Sequence, residues 1–516
     1  MPRCFSKCRK IKKEECGEKQ KCKYIDGNTR KYCRLSTKYK MDKSCNVTRK
    51  FKKGEAAAVI SRFGRRITEK RRLKKKSKDK KSEASSIISK FMKRNPVKMR
   101  RNFLMSVCPD SGECVAVGKE MKVIRDYFEG FSDFHYLESP VKQIGKVSNN
   151  GFVKELKFNR GGYSSYAILK SALNTDSDNL VYEYQVGQYV NKMCKYFPCF
   201  LETYGLYFYK YDAAWRHIRD SLNNTKEVFK NSLVKQGNID YEKACEKSKF
   251  AAILIQHIKN ATTLKDLLIS PSLANFVNGE LVLILYQIYY TLSELSSTYT
   301  HYDLHMDNVL VYTVENSKYI QYHYHTYGGL VTSFKSKYIV KIIDYGRSFF
   351  DDKDENINSK KIRNEQICKI GKCRPNCGDY FGFQFLLDKM SDDSYYIDSA
   401  QPNRSHDLRL LYLVQKTQVV ELLGNDQMYK DIVNSIVYGN GISHTPYKKY
   451  GTKPLPDNYS VAGTDIQTVN DAFDAFYDLL KSGSFIADVE NEYSGFTKLG
   501  DLHIYGKNKA MEYKPA

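Results

Sequence analysis

The sequence has no long hydrophobic run. Its most apolar stretch, LVLILYQIYYTL from Leu281 to Leu292, is interrupted by Gln287 and falls well short of the roughly 20 apolar residues that a helix needs to cross a bilayer. The opening MPRCFSKCRK has no apolar h-region, which argues against a secretory signal peptide. Paired C-x-x-C knuckles are also missing from residues 1–50, where Cys4, Cys8, Cys16, Cys22, Cys33 and Cys45 stand at irregular spacings. That pattern gives a zinc site no support. The 14 cysteines of so large a chain fit reduced thiols in a soluble intracellular protein better than a disulfide framework.

Charge is plentiful and unevenly placed. Residues 1–101 hold 37 Lys+Arg against 9 Asp+Glu, a net of +28, so the other 415 residues, with 47 against 49, carry −2 of the total +26. A basic arm on a near-neutral body suggests an encounter with polyanions: nucleic acid, an acidic protein or an anionic membrane surface. The densest run, RFGRRITEKRRLKKKSKDKK (62–81), serves equally as a nuclear-import signal, as a phosphate contact or as a solvated linker. It offers almost no aromatic side chains for base stacking, so only sequence-independent attraction is expected from it.

From about residue 118 the texture becomes apolar runs and turns. GFVKELKF (151–158) and SYAILKSAL (165–173) read as adjacent strands around Gly161 and Gly162. DSDNLVYEYQVGQYVNKM reads as a helix with Asp176, Ser177 and Asp178 as capping candidates. FLETYGLYFY and FAAILIQHI are two further strands on either side of a polar insert of about 40 residues, and NGELVLILYQIYYTLSELSSTY is a long helix. HDLRLLYLVQKTQVVELL and TVNDAFDAFYDLLKS are helical by period. Strands with one helix followed mostly by helices outline a small β-rich lobe and a larger helical one.

The chemistry concentrates in YTHYDLHMDNVLVY (299–312). Asp303 and Asn308 have the spacing of a phosphotransferase catalytic loop, H-R-D-L-x-x-x-N. In that reading Asp303 accepts the proton of the attacking hydroxyl and Asn308 holds magnesium, while His305 stands where many such enzymes carry a lysine. A second metal-binding aspartate is expected at the end of a buried strand, and Asp344 in YIVKIIDYG meets that condition; carboxylate and amide oxygens suit a hard cation. Lys170 in YAILK matches the lysine that contacts the α and β phosphates, with Glu183 on the next helix as its partner. Gly145 and Gly151 in IGKVSNNGFV are candidates for a phosphate-covering loop, although Val147 stands where a second glycine is expected. LIQHIKNATTL resembles the hinge that connects the two lobes of protein kinases, which implies the backbone of Gln256 and Ile258 beside the adenine ring and Ile255 at the back of the pocket.

Taken together, residues 118 to about 480 resemble a protein-kinase-like domain. The D-L-H-x-x-N form, the IIDYG motif and the insertion between Asn308 and Asp344 are most similar to haspin-like kinases. With the cysteine-containing arm, the whole resembles serine/threonine kinases of large DNA viruses, iridoviruses in particular. The resemblance implies an α+β fold of two lobes, a small β-rich N-lobe and a larger helical C-lobe, behind a basic, poorly structured extension. Its parts are a cysteine-containing adaptor-like segment (1–50), a basic linker (51–117), an N-lobe (118–258, with an insertion at about 211–248) and a C-lobe with tail (259–516). It implies ATP and Mg as cofactors, a protein substrate, and residence in the cytoplasm or nucleus of a host cell or in the virion.

Some features depart from the pattern. Tyr302 replaces the usual arginine, so no guanidinium is expected beside Asp303 and phosphorylation of the segment 347–400 is not expected to switch activity. No A-P-E motif follows Asp344, and Asp407 is the candidate for the buried aspartate that supports the catalytic loop. Cys368, Cys373 and Cys377 could bind zinc with His406, but their spacing favours free thiols. Two alternatives stay open: a small-molecule kinase of the aminoglycoside or choline type, which also uses D-L-H-x-x-N, and a silent kinase-like scaffold whose arm binds nucleic acid.

Overall fold

A computed structural model of the chain describes the backbone of four short strands between residues 22 and 49. Beyond them it describes residues 119–144, 151–173, 180–221, 224–240, 247–269, 280–326, 329–362, 384–386, 394–396, 400, 402–415, 466, 468–481, 487 and 490–516. The chain divides into two compact units, Met1–Arg100 and Arg101–Ala516. In the first, β1 (Cys22–Asp26) pairs antiparallel with β2 (Lys31–Leu35), and β3 (Tyr39–Met41) with β4 (Val47–Arg49). Paired strands thus stand where a poorly structured arm is predicted. The sequence Asp26-Gly27-Asn28 between two alternating runs is hairpin chemistry. The predicted linker, 51–117, lies outside the described residues.

The second unit opens with α1 (Lys119–Tyr127). It continues through β5 (Lys142–Ile144), β6 (Gly151–Arg160), β7 (Tyr163–Ala172), α2 (Leu180–Met193) and β8 (Thr203–Tyr209). After these come α3 (Asp212–Asp220), α4 (Lys226–Ser232), β9 (Leu233–Lys235) and β10 (Ala251–His257). The strands form one antiparallel sheet in the order β5-β6-β7-β10-β8-β9. The β6–β7 hairpin turns on Gly161 and Gly162, both at positive φ (60° and 85°), as a two-residue type I′ connection requires. The expected insert is structured: α3 buries Trp215 and Ile218, α4 buries Phe229, and Trp215 Nε1 donates to Ala172 O at 3.1 Å.

Alternation gives this sheet two different faces. Phe152, Leu156, Phe158, Ala167, Leu169, Ala252 and Leu254 join the main core. On the opposite face Val153 lies across from Lys170, which lies across from Ile253, and Ile168 lies across from Ile255.

Beyond β10 come β11 (Thr262–Thr263), α5 (Leu264–Leu268), α6 (Leu281–Leu295), β12 (Tyr299–Thr300) and β13 (Val309–Thr313). Then follow β14 (Lys318–His325), β15 (Val331–Ser336), β16 (Tyr338–Ile342), β17 (Phe349–Asp352), β18 (Ile357–Asn358), β19 (Gln384–Leu386) and β20 (Ser394–Tyr396). The chain ends with α7 (Arg409–Gln415), α8 (Val469–Lys481), β21 (Thr497–Ile504) and β22 (Glu512–Pro515). Helix α6 is buried on every side from Leu281 to Leu292, so its apolar circumference belongs to a central core helix. Helix α8 packs against it through Tyr286–Phe473 and Tyr289–Phe476. Among the described residues no helix is long and apolar enough to cross a membrane.

The mainly helical second half is corrected here. Among the described residues, the part after residue 258 is mixed, with α5, α6, α7 and α8 sharing it with four small sheets. The largest arises from the segment 315–337. Ile320, Tyr322 and Tyr324 alternate inward on β14, which pairs antiparallel with β15 and, in parallel, with β21 almost 180 residues downstream. The alternation is a strand signal, but its partner is too far along the chain to appear in any local pattern.

Glu280, at the start of α6, fastens this sheet to the core. It is buried, accepts from Ser336 Oγ at 2.8 Å and from the Tyr493 hydroxyl, and burial pushes its pKa up to about 8. An unfolded glutamate titrates near 4.3, so between about pH 4.3 and 8 folding takes up a proton and stability falls as pH rises. Glu280→Gln is expected to flatten the decline of Tm between pH 6 and 9. A decline as steep as that of the parent protein would show that Glu280 does not carry it.

Candidate active site

The site begins where buried β16 ends. After Ile343 the chain turns through Asp344 in the left-handed region (φ 66°, ψ 70°) and enters a single helical turn, Tyr345–Arg347. A non-glycine residue there is strained by about 1–3 kcal/mol and persists only when its surroundings hold it. Tyr345 does the holding: its buried hydroxyl donates to Ile342 O at 2.8 Å and accepts from Leu201 N at 3.0 Å. A phenylalanine would leave that buried amide unpaired, which is why a tyrosine suits this position. The Asp344 carboxylate faces outward, 45% exposed, 3.0 Å from Lys170 Nζ. The same ammonium lies 2.8 Å from Glu183 Oε2, a carboxylate only 1% exposed. The Lys170 charge holds the Asp344 carboxyl below the usual carboxylate range, against the opposing effect of burial, with Arg347 adding to the depression.

The second motif is built on a buried carboxylate. Asp407 accepts from His301 N at 2.7 Å and Tyr302 N at 3.0 Å, fixing the loop before Asp303, and burial pushes its pKa up to about 7. Tyr302, at φ 63°, is buried with its ring 4.8 Å from that of His406. The ring of His301 ties the two motifs together, donating from Nε2 to Ile343 O at 2.9 Å and accepting from Asp303 N on Nδ1 at 3.2 Å. A neutral imidazole satisfies both bonds, and burial lowers its pKa accordingly. Asn308 donates from Nδ2 to Asp303 O at 2.9 Å, and its backbone carbonyl accepts from Ile343 N at 3.0 Å. With β13 and β16 paired at Val309 and Ile342, the Asp303–Asn308 turn and Asp344 stand side by side.

Between the two motifs and the sheet lies a separate apolar cluster. It holds Leu201, Ile253, Ile255 and Ile258, with Ile168, Tyr312 and Ile343 half-buried against it. Ile168 and Ile255 share the sheet face of Lys170, and Ile343 precedes Asp344, so the cluster joins the strands that carry Lys170 to the strand that leads to Asp344. Gln256 donates its backbone N–H to Glu202 O at 2.8 Å, and its side-chain oxygen accepts from Glu202 N at 3.2 Å. Its backbone amide is therefore occupied. Ile258 is buried, and its carbonyl accepts from Ala261 N at 3.3 Å.

The structure thus brings Lys170, Glu183 and Asp344 into contact and sets Asp303, His305 and Asn308 beside them. Gly145 lies outside the described residues, as do Cys368, Cys373, Cys377 and the capping candidates Asp176, Ser177 and Asp178. Gly151 opens β6, where a Cβ would stand 2.4 Å from Ser171 O, so strand contact alone demands glycine there. Two residues on from it, Val153 covers Lys170 from the adjoining strand, a position the motif reading passed over.

One expectation is overturned. Guanidinium groups do stand beside Asp303: Arg409 Nη1 is 3.1 Å from Oδ1 and Arg347 Nη1 is 3.5 Å from Oδ2. They come from α7 and from the turn after Asp344, at spacings no catalytic-loop pattern specifies, so the substitution at Tyr302 does not leave the aspartate without cations.

No family model matches the chain, and no curated protein matches it. Among solved structures it is similar to a MAP kinase, LmaMPK10 from Leishmania major, at 14% identity with a TM-score of 0.20, covering 44% of this chain. The match spans half the length of that kinase.

Proposed function

We propose that the second unit catalyses ATP- and magnesium-dependent phosphoryl transfer to serine or threonine hydroxyls of a protein. The observation that carries this is the Lys170 ammonium held between the buried Glu183 and the outward-facing Asp344, next to a loop that presents Asp303 and Asn308. Opposed charges on three separate elements converge with no packing need for them, and perturbed, convergent groups of this kind mark functional sites.

The residues fit the groups such a reaction needs. Asp344 is ionised at neutral pH, and Asn308 turns Nδ2 to the backbone, which leaves Oδ1 as its metal-facing atom. One carboxylate and one amide oxygen are typical protein ligands for magnesium, which keeps waters and phosphate oxygens for the rest of its shell. When bound, the metal neutralises charge on the phosphates. Lys170 would contact the phosphates, Glu183 would aim Lys170, and the apolar cluster of Ile168, Ile255 and Ile343 would hold the base. Asp303 would orient the acceptor hydroxyl and take its proton. The form of the two motifs supports a haspin-like serine/threonine type, and the basic residues 1–101 would draw the enzyme to an acidic or nucleic-acid-bearing partner.

The test is label transfer from γ-labelled ATP by the full chain, offered acidic and basic protein pools alongside small alcohols. Magnesium-dependent label on serine or threonine is expected, and chelation should abolish it. Label that reaches only small alcohols would overturn the protein-substrate reading. A chain that shows neither magnesium-dependent nucleotide binding nor transfer would overturn the enzyme.

A further inference from the structure

We infer that Arg347 supplies the positive charge that steadies the transferring phosphoryl group, in place of a lysine two residues after the catalytic aspartate, and that Arg409 positions that aspartate. The inference rests on the phosphoryl-transfer reading and extends it to two residues outside its motifs.

The position that would hold such a lysine carries His305, and its ring is poorly suited to bring charge. Nδ1 accepts from Asp307 N at 3.2 Å, so a neutral ring carries its proton on Nε2, 4.0 Å from Asp303 Oδ1. Burial lowers its pKa, and Arg409 adds to that effect against the pull of Asp303. A neutral imidazole gives little electrostatic stabilisation to the charge spread over a phosphoryl group in flight.

The two arginines differ in what surrounds them. Arg347 is 36% exposed and pairs with Asp303 Oδ2, and it also acts electrostatically on Asp344. Its charge therefore acts on both the aspartate that receives the acceptor's proton and the aspartate assigned to the metal, the two groups that flank the phosphoryl transfer. Its backbone is fixed, because it closes the turn that begins at Asp344 and the next amide, Ser348 N, donates to Tyr345 O at 3.0 Å. Arg409 is 13% exposed and holds Oδ1 from the other side, two residues after Asp407, which grips the same loop by its backbone. One short stretch of chain, Asp407 to Arg409, thus fixes both the loop and its carboxylate.

In the step itself the acceptor oxygen bonds to the γ-phosphorus as the bridging P–O bond breaks. The electron pair leaves on the β-phosphate oxygen of ADP, the hydroxyl proton goes to Asp303, and Arg347 meets the equatorial oxygens.

The test compares kcat, the KM for ATP and the thermal shift with Mg-ATP in Arg347→Ala, Arg347→Lys, Arg409→Ala, Arg409→Lys and the double variant Arg347→Ala/His305→Lys. Arg347→Ala is expected to lose about 100-fold in kcat, with the ATP KM and the thermal shift within about threefold of wild type. Arg347→Lys should regain most of the loss, and His305→Lys should return at least about tenfold by restoring a cation at the loop position. Arg409→Ala should likewise lose kcat rather than nucleotide affinity, with partial recovery in Arg409→Lys. An unchanged kcat in Arg347→Ala would overturn the inference, as would a folded, nucleotide-binding Arg347→Ala that neither lysine rescues. A wild-type chain that binds Mg-ATP but never turns over would sink the phosphoryl-transfer reading as well.

Discussion

Asp344→Asn is expected to remove magnesium-dependent nucleotide binding, whereas Asp303→Asn should bind Mg-ATP normally and lose about 10²- to 10⁴-fold in turnover. The contrast follows from what each carboxylate touches. Asp344 is paired with Lys170 and kept ionised by it, so its neutral amide would lose the negative charge that a magnesium ion requires and would weaken its hold on the ammonium, which Glu183 still pairs. The Asp303 carboxylate meets Arg347, Arg409 and His305, and its removal takes away a proton acceptor. Neither loss should come from unfolding. A depressed carboxyl pKa stabilises the fold above the unfolded value, near 3.9, and that contribution disappears as pH falls through the folded value. For a group as exposed as Asp344, solvent screening keeps the contribution small. Thermal shift with and without Mg-ATP, read beside steady-state rates, checks both variants. Equal loss of nucleotide binding in the two would refute the division of labour between them.

Much of this site was legible because its parts are local. Asp303 and Asn308 sit in one turn, Asp344 follows one apolar strand, and Lys170 lies near the end of another; in each case a short pattern encodes both the element and the side chain it presents. The β6–β7 hairpin and helix α6 were readable for the same reason, one from its pair of glycines and the other from a long, mostly apolar stretch.

What could not be read depends on partners remote in sequence. Arg409 reaches Asp303 across 106 residues, and nothing in RLLYLVQ marks its first residue as anything but a helix-start charge. The β14–β21 pairing and the Glu202–Gln256 backbone link are likewise set by tertiary placement. Gly151 teaches the opposite lesson, since a residue picked for phosphate chemistry is already required by the approach of Ser171, and a glycine in a motif therefore says less than an aspartate does.

Gly187→Val is expected to abolish turnover without altering any residue that meets nucleotide or acceptor. Gly187 lies one helical turn after Glu183 on α2, so the two share a face. A Cβ there would stand 2.2 Å from Thr203 Oγ1 and 2.7 Å from Thr203 Cβ. The helix cannot yield locally, because Asn191, another turn along, clamps the same residue: its Oδ1 accepts from Thr203 N and its Nδ2 donates to Thr203 O, both at 2.8 Å. Any added side chain must lever the helix off the strand, and Glu183 moves with it, away from Lys170. Displacements of about 1 Å at a reacting centre are worth about 100-fold in rate. Gly187→Ala should therefore already lose roughly that much, even though alanine is the better helix former by about 1 kcal/mol, and valine should lose more. Thr203→Gly removes every atom of Thr203 that the new Cβ would strike, so Gly187→Ala/Thr203→Gly should recover part of the rate. Rates and Tm of the three variants check this. A Gly187→Ala protein with wild-type activity would mean that α2 shifts freely, and that the Lys170–Glu183 contact is not what sets the site.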